Sequence, residues 1–264
     1  PDILSQTHSA AAAITTSTTI NLNYIGTFTH NQLEKTVQAH ILSSAIDAAG
    51  DITVSAEEQA SIRAVSSGSQ LTVQAATGKS GIEVRAGAIT QFATNDLHTT
   101  VTAEVIGCRD QDGISAAGSV MVSASKAEFV SAEMYTVSVG AAIGSKLSID
   151  ADAAITTVRN TLGSTDTQNS DSRTHATIDS SSIDARSVTV EAASSPFLYA
   201  KVWDVDIQVS LGAKFALAVV YGQITARSLL ADDVSAGIRN NSDVTATAGD
   251  IQVLAALNLP PESS

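Results

Sequence analysis

Cysteine, proline, aromatic residues and charged residues are all scarce in this 264-residue sequence, which has one Cys, four Pro, 4% aromatic and 16% charged residues. A single cysteine, Cys108, excludes an internal disulfide. A reactive thiol needs an electropositive setting and a nearby histidine, whereas Cys108 is followed by Asp110 and Asp112. We therefore predict that Cys108 is a small, half-buried residue without a catalytic role.

Long apolar runs and an excess of basic residues are missing too. No apolar stretch approaches the roughly 20 residues of a membrane-spanning helix, and we expect no membrane span. The net charge of −13 repels phosphate backbones and anionic membrane leaflets, and we expect no nucleic-acid partner. The chain begins at Pro1 without a signal peptide, from which we expect a piece of a longer protein.

The residues that are abundant form a repeat. Val54, Val122 and Val190 lie 68 residues apart, each within a phrase such as "DITVSA", and Val253 follows after 63 more residues (253 − 190). The 68-residue offset relates further sets of residues: Ala56, Ala124 and Ala192; Ile62, Val130 and Leu198; Phe129 and Phe197. Self-similarity at a fixed period is typical of stacked architectures, in which each unit packs only against its neighbours.

Within each repeat, apolar and polar residues alternate, which predicts strands with one buried face. Small and β-branched side chains dominate, and these favour pleated sheets over helices. Clusters such as "SSGSQ" (66–70) and "TGKSG" (77–81) are typical of turns between short strands. Each repeat would then contain roughly six strands, or about three turns of a narrow coil.

We therefore predict an all-β fold, a parallel β-solenoid of about a dozen rungs. A tandem of antiparallel β-sandwiches is the alternative. The predicted organisation is a variable N-terminal edge or first rungs at 1–35, solenoid repeats at 36–256 (36–99, 100–173, 174–229 and 230–256) and a C-terminal tail at 257–264.

The repeats resemble those of very large bacterial exoproteins, namely filamentous adhesins and leukotoxin-like or autotransporter-type passengers. The stretches that carry the resemblance are "VQAHILSSAIDAAGDITVSA" (37–56), "HATIDSSSIDARSVTVEA" (175–192) and "VSAGIRNNSDVTATAGDIQVLA" (234–255). The resemblance implies a right-handed β-solenoid, an extracellular or cell-surface location and a structural or adhesive task, without a catalytic motif to carry over.

Acidic pairs are the first candidate sites. Asp150 with Asp152, and Asp204 with Asp206, have the D-x-D spacing that supplies oxygen ligands to Ca²⁺. The same alternation in a strand places both carboxylates on one face, which we predict to be the solvated face. A weak calcium site on these residues, in a Ca²⁺-stabilised secreted repeat protein, stays open as an alternative, and we predict no other cofactor.

Trp203 is the second candidate, as the only tryptophan of the chain. With Lys201, Asp204 and Asp206 around it, Trp203 would stack on a sugar ring in a carbohydrate-binding or carbohydrate-active β-helix. A structural tryptophan at a corner is the simpler interpretation. No matched catalytic base accompanies it, and we predict that the chain is not an enzyme.

The function that we predict is a structural or adhesive segment of an exported repeat protein, forming a rod or filament for surface attachment. Its expected partners are flanking repeats of the same protein or a second copy bound end to end, and a cell-surface glycan or protein receptor.

Overall fold

The computed structural model describes residues 2–15, 20–75, 82–109, 113–143, 147–163, 172–211 and 215–260. These residues form thirteen strands and no helix. The strands are β1 (Asp2–Thr15), β2 (Ile20–Leu42), β3 (Ile46–Ala48), β4 (Ile52–Ala75), β5 (Ile82–Ile106), β6 (Ile114–Ile143), β7 (Leu147–Leu162), β8 (Arg173–Asp179), β9 (Ser182–Leu211), β10 (Phe215–Leu230), β11 (Asp233–Arg239), β12 (Asp243–Ala246) and β13 (Ile251–Leu257).

The strands belong to two sheets, between which the chain alternates. The first sheet has the order β1-β4-β6-β9-β12, with β3 beside β6 and β13 beside β9. The second has the order β10-β7-β5-β8-β11, with β2 beside β5. Every strand pairing among the described residues is parallel. The all-β prediction is confirmed, and the antiparallel sandwich alternative is wrong.

The sequence repeat is also the register of the first sheet. Val54 pairs with Val122, Val122 with Val190, and Val190 with Val253. The alanines after these valines stack in the same way, and Ala56, Ala124 and Ala192 are all buried. The repeated residues are therefore equivalent positions on adjacent strands. The last interval, from Val190 to Val253, is shorter than the others, and the chain is shortened at a point before β13 begins.

One repeat thus makes one layer of the stack, and the predicted dozen rungs of about 20–25 residues are wrong. Each layer contains one long strand in each sheet, for example β4 of 24 residues and β5 of 25 residues. The error has a physical cause in the segment "SSGSQ", which we interpreted as a turn. Ser66 and Gln70 are buried inside β4, where Ser66 bonds to Thr27 of the facing sheet. Small polar residues here mark a polar interior and not a chain reversal.

The chain passes from the second sheet back to the first through a stacked set of corners. Ser43, Gly107, Ser180 and Asn240 all have positive φ, between 44° and 70°. The amides of Ser43, Gly107 and Ser180 donate to the carbonyl oxygens of Ile106, Asp179 and Arg239, each in the next layer. We call this end of the sheets proximal, and the opposite end, where the first-sheet strands end at Thr15, Ala75, Ile143 and Leu211, distal.

The apolar core lies between the sheets near the proximal corners. It is built from small and β-branched side chains of both sheets, such as Val54, Val101, Val122 and Val190. Cys108 is fully buried in it and free, at 0% exposure, and so is more deeply buried than we predicted. Smaller clusters around Ile62 and around Ala64 continue the core along the strands.

Candidate functional site

The polarity of the two sheet surfaces reverses from the proximal to the distal end. Proximally, the side chains between the sheets are apolar. Distally, most of the buried side chains between the sheets are polar or charged: Gln70, Thr72, Gln74, Arg85, Gln91, Thr136, Ser138, Asp150 and Asp152. Ile25, Ile89 and Ala142 are apolar exceptions. The period-two alternation continues unbroken through this change. In β9, Asp206 and Gln208 are shielded, while Val205 and Ile207 are exposed.

Arg85 is the centre of the distal interior. Its Nη2 donates to Asp152 Oδ2 at 2.6 Å and to Gln208 Oε1 at 2.7 Å, and its Nε donates to Asp150. Arg85 is 4% exposed and both aspartates are 6% exposed. Gly140 leaves the room that the guanidinium occupies, because a Cβ at this position would collide with it.

The prediction that Asp150 and Asp152 face solvent is therefore wrong. Their carboxylates point between the sheets and neutralise a buried guanidinium. Burial raises the pKa of Asp150, and the charge of Arg85 opposes that shift. The sequence did not reveal this arrangement because Arg85 lies 65 residues before Asp150 and reaches it only through the pairing of β5 with β7.

Asp204 and Asp206 lie on the interior side of β9 and are partly shielded. Burial raises the pKa of Asp204. Burial also raises the pKa of Asp206, with a smaller contribution from the negative charge of Asp152. Asp110 and Asp112 lie outside the described residues. In the described part of the chain, no group of three or more His, Cys, Asp or Glu side chains is arranged to hold a metal ion.

Trp203 lies on the opposite, outer face of β9. Its side chain is 55% exposed, and Lys201 Nζ lies 5.2 Å from the ring centroid. Its register partner on β6 is Tyr135. The sequence placed Lys201, Asp204 and Asp206 in one group around Trp203, but the pleat separates them: Trp203 and Lys201 point outward, and the two aspartates point inward.

A second buried charged cluster lies nearer the proximal end. Lys126 Nζ contacts Asp232 Oδ1 at 2.6 Å, Ser172 Oγ at 2.5 Å and Glu128 Oε2 at 3.9 Å. The side chains of Lys126, Glu128 and Asp232 are each 0% exposed. Burial raises the pKa of Glu128, and the nearby Lys126 only partly opposes this.

Replacing Glu128 with Gln is expected to stabilise the protein at neutral pH, because burial raises the pKa of this carboxyl and so disfavours its charged form. A carboxyl whose folded pKa is raised contributes stability below its unfolded pKa and loses it as the pH rises through the folded pKa. The variant and the parent should therefore have similar melting temperatures near pH 4 and diverge towards pH 8. Glu57→Gln, on the exposed face of β4, is the control. The stability of Glu128→Gln relative to the parent is the quantity to compare at the two pH values. If it is lower at pH 8 than at pH 4, the raised pKa of Glu128 is contradicted.

An asparagine ladder runs through the layers between the two charged clusters. Asn31 Nδ2 donates to Asn95 Oδ1, and Asn95 Nδ2 donates to Asn160 Oδ1, both at 2.9 Å. The three amides also donate to carbonyl oxygens of the facing sheet, at Arg63, Ser131 and Tyr199. The ladder ties the two sheets together as well as the layers. The available sequence signal was three asparagines spaced 64 and 65 residues apart, which we missed.

The outer faces of both sheets are apolar at the distal end, and we call this surface the distal band. It consists of the outward-facing residues of β6 from Tyr135 to Ile143, β9 from Trp203 to Leu211, β2 from Leu22 to Phe28, and β10 from Phe215 to Tyr221. In these four described stretches, the outward-facing positions carry no Asp, Glu, Lys or Arg.

Comparisons with known proteins gave no match to a family model, to a curated protein or to a solved structure. The resemblance to bacterial exoproteins therefore stays a prediction. Among the residues that the structure describes, no helix is long and apolar enough to cross a membrane.

Proposed function

We propose that this chain is a structural segment of a large exported repeat protein, in which the layers form a β-solenoid that serves as a rod for surface attachment. The observation that carries the proposal is the register: Val54, Val122, Val190 and Val253 are sequence repeats and also neighbours in one sheet. An architecture in which each repeat pairs with the next can be lengthened without limit.

The C-terminal end of the stack supports this role. The β9 segment from Ser195 to Leu211 has a described partner, β6, on one edge only. β10 likewise pairs with β7 alone. Such edges are templates for further strands. Flanking repeats of the same protein, or a second copy, are the partners that match these edges in direction and spacing. The adhesive contacts would then be made by the outer faces of the stacked layers.

Duplicating one repeat tests the proposal. A second copy of residues 114–182 inserted after position 182 restores the proximal corner, since Ile114 and Ile183 are register partners. We expect the particle to lengthen by about 4.8 Å per added repeat, the spacing of paired strands, with an unchanged cross-section. Small-angle X-ray scattering on variants with one, two and three added repeats measures both quantities.

The control is an insert of the same composition with its order scrambled, which should add disordered chain and raise the radius of gyration steeply. Growth by a separate globular body for each added repeat, with no change of length in steps of one strand spacing, would rule out the stacked arrangement. The same would follow from a cross-section that widens with each insert.

A further inference from the structure

The distal part of the fold has mostly polar side chains inside and apolar side chains outside. In water, apolar surface is driven inward and charge stays at the surface. Here Arg85, Asp150 and Asp152 are buried, whereas Leu22 and Phe215 are 72% and 73% exposed. The reversal occurs in both sheets and at the same end of the strands. A protein surface that is more apolar than the interior beneath it is suited to contact with an apolar medium.

A lipid bilayer fits the distal band better than a second copy of the chain. The band covers the outer faces of both sheets, so one copy docked on one face would leave the other face exposed. The aromatic residues near its proximal boundary also favour lipid. Trp203 and Tyr135 are register partners at this boundary of the first sheet. In the second sheet, Tyr221 ends the band on β10, and Tyr24 lies at the same level within the band, paired through Ala88 and Ala153. Tyrosine and tryptophan prefer the boundary between headgroups and hydrocarbon.

We infer that the distal band embeds in the hydrocarbon of a lipid bilayer, with the polar network around Arg85 shielded between the two sheets. From Trp203 to Leu211 the strand extends for about 26 Å at the usual rise per residue. The hydrocarbon core of a bilayer is about 30 Å thick, so the band reaches well below the headgroups. The chain's acidic charge repels anionic leaflets, and the surface suited to the band is therefore zwitterionic.

Interior hydrogen bonds satisfy much of the polar network in a medium without water, although Asn21 Nδ2, Gln91 Nε2 and Asp152 Oδ1 are buried without a hydrogen-bond partner among the described residues. Arg85 is neutralised by two carboxylates and capped by Gln208. Thr136 bonds to Gln91, and Thr27 to Ser66, across the gap between the sheets. The strand edges of β9 and β10 would be costly in hydrocarbon, because unpaired backbone groups find no partner there. Lipid contact thus rests on the proposed stacking, in which a flanking layer pairs with these edges.

Trp203, the only tryptophan, makes the inference directly measurable on the full chain. We expect the protein to co-float with phosphatidylcholine vesicles and the Trp203 emission to shift to shorter wavelength on vesicle addition. Brominated lipids should quench that emission most when the bromines lie near the headgroups, because Trp203 is at the boundary of the band. This depth measurement needs no variant, and it is independent of the length measurement on repeat duplications.

A matched pair of double variants tests the band itself. Ile207→Glu with Leu217→Glu places one charge on each outer face within the band, and we expect vesicle binding to fall at least about tenfold because charge is costly in hydrocarbon. Ser195→Glu with Thr225→Glu places the same charges on the same two strands, β9 and β10, outside the band, and should bind like the parent.

Absence of co-flotation, or equal binding of the two double variants, would overturn lipid contact. A dimer that forms without vesicles and is abolished by Ile207→Glu with Leu217→Glu would overturn it too, and would assign the band to a second copy. Lipid contact can fail in these ways while the repeat duplications still lengthen the stack by one strand spacing, so the two proposals fail separately.

Discussion

Replacing Arg85 with Met should lower the free energy of unfolding by about 3–5 kcal/mol, the cost of removing one partner from a buried ion pair. The variant leaves Asp150 and Asp152 in the interior without the guanidinium that pairs with both of them. Methionine also has a long unbranched side chain, so the lost stability comes mainly from electrostatics and not from a cavity. Urea unfolding followed by circular dichroism measures it.

The control for Arg85 is Arg63, which pairs with Glu133 at 2.7 Å but is 45% exposed. Arg63→Met should cost no more than about 1 kcal/mol, as exposed ion pairs do. The triple variant Arg85→Met, Asp150→Asn and Asp152→Asn should recover much of the loss, because it removes the stranded charges. Equal costs for Arg85→Met and Arg63→Met would show that the distal interior is open to water.

Replacing Asn95 with Leu should destabilise the protein by about 3 kcal/mol, since each buried polar group left without a partner costs roughly 1–3 kcal/mol. The substitution removes the donor to Asn160 Oδ1 and to the Ser131 carbonyl, and the acceptor for Asn31. Leucine keeps the branched shape of asparagine, but its methyl groups are larger than the amide oxygen and nitrogen, so overpacking adds to the loss. Thermal and urea unfolding of the variant against the parent give the difference.

We expect the three asparagines of the ladder to stabilise the fold cooperatively. The triple variant with Leu at positions 31, 95 and 160 removes the donors and acceptors together, and we expect its cost to be well below three times that of Asn95→Leu. Thr94→Ala, on the outer face beside Asn95, is the control and should change stability by less than about 0.5 kcal/mol. Strict additivity of the three leucine substitutions would mean that the amides do not act together.

The sequence was sufficient for the all-β class and for the register of the repeat, because identical residues at a constant offset stack on one another. Val54 and Val122 are the clearest case. It was not sufficient for the length of a layer. The residues that signal turns, such as Ser66 and Gly68, are also residues that fit a polar interior, and only the pairing of β4 with β6 distinguishes the two uses.

For a related reason, the sequence did not predict which face of the distal strands is buried. Alternation identifies two faces but does not say which one is buried. "DITVSA" and "DVDIQV" alternate alike, yet Val54 points into the core and Val205 points out. The side chains of the facing sheet decide which of the two faces of a strand is buried. Arg85 lies in a different sheet from Asp206 and Gln208, and its proximity to them follows from tertiary structure alone.

The identity of repeat and layer has a mechanical consequence. A load applied along the stack acts on the layers in series, and the hydrogen bonds between neighbouring strands carry it. A folded layer contributes one strand spacing, about 4.8 Å, to the length of the stack. When the terminal layer detaches, its chain can extend to about 230 Å. A tether built this way yields one layer at a time and lengthens greatly before it breaks. It therefore dissipates a sudden pull while the remaining layers stay folded.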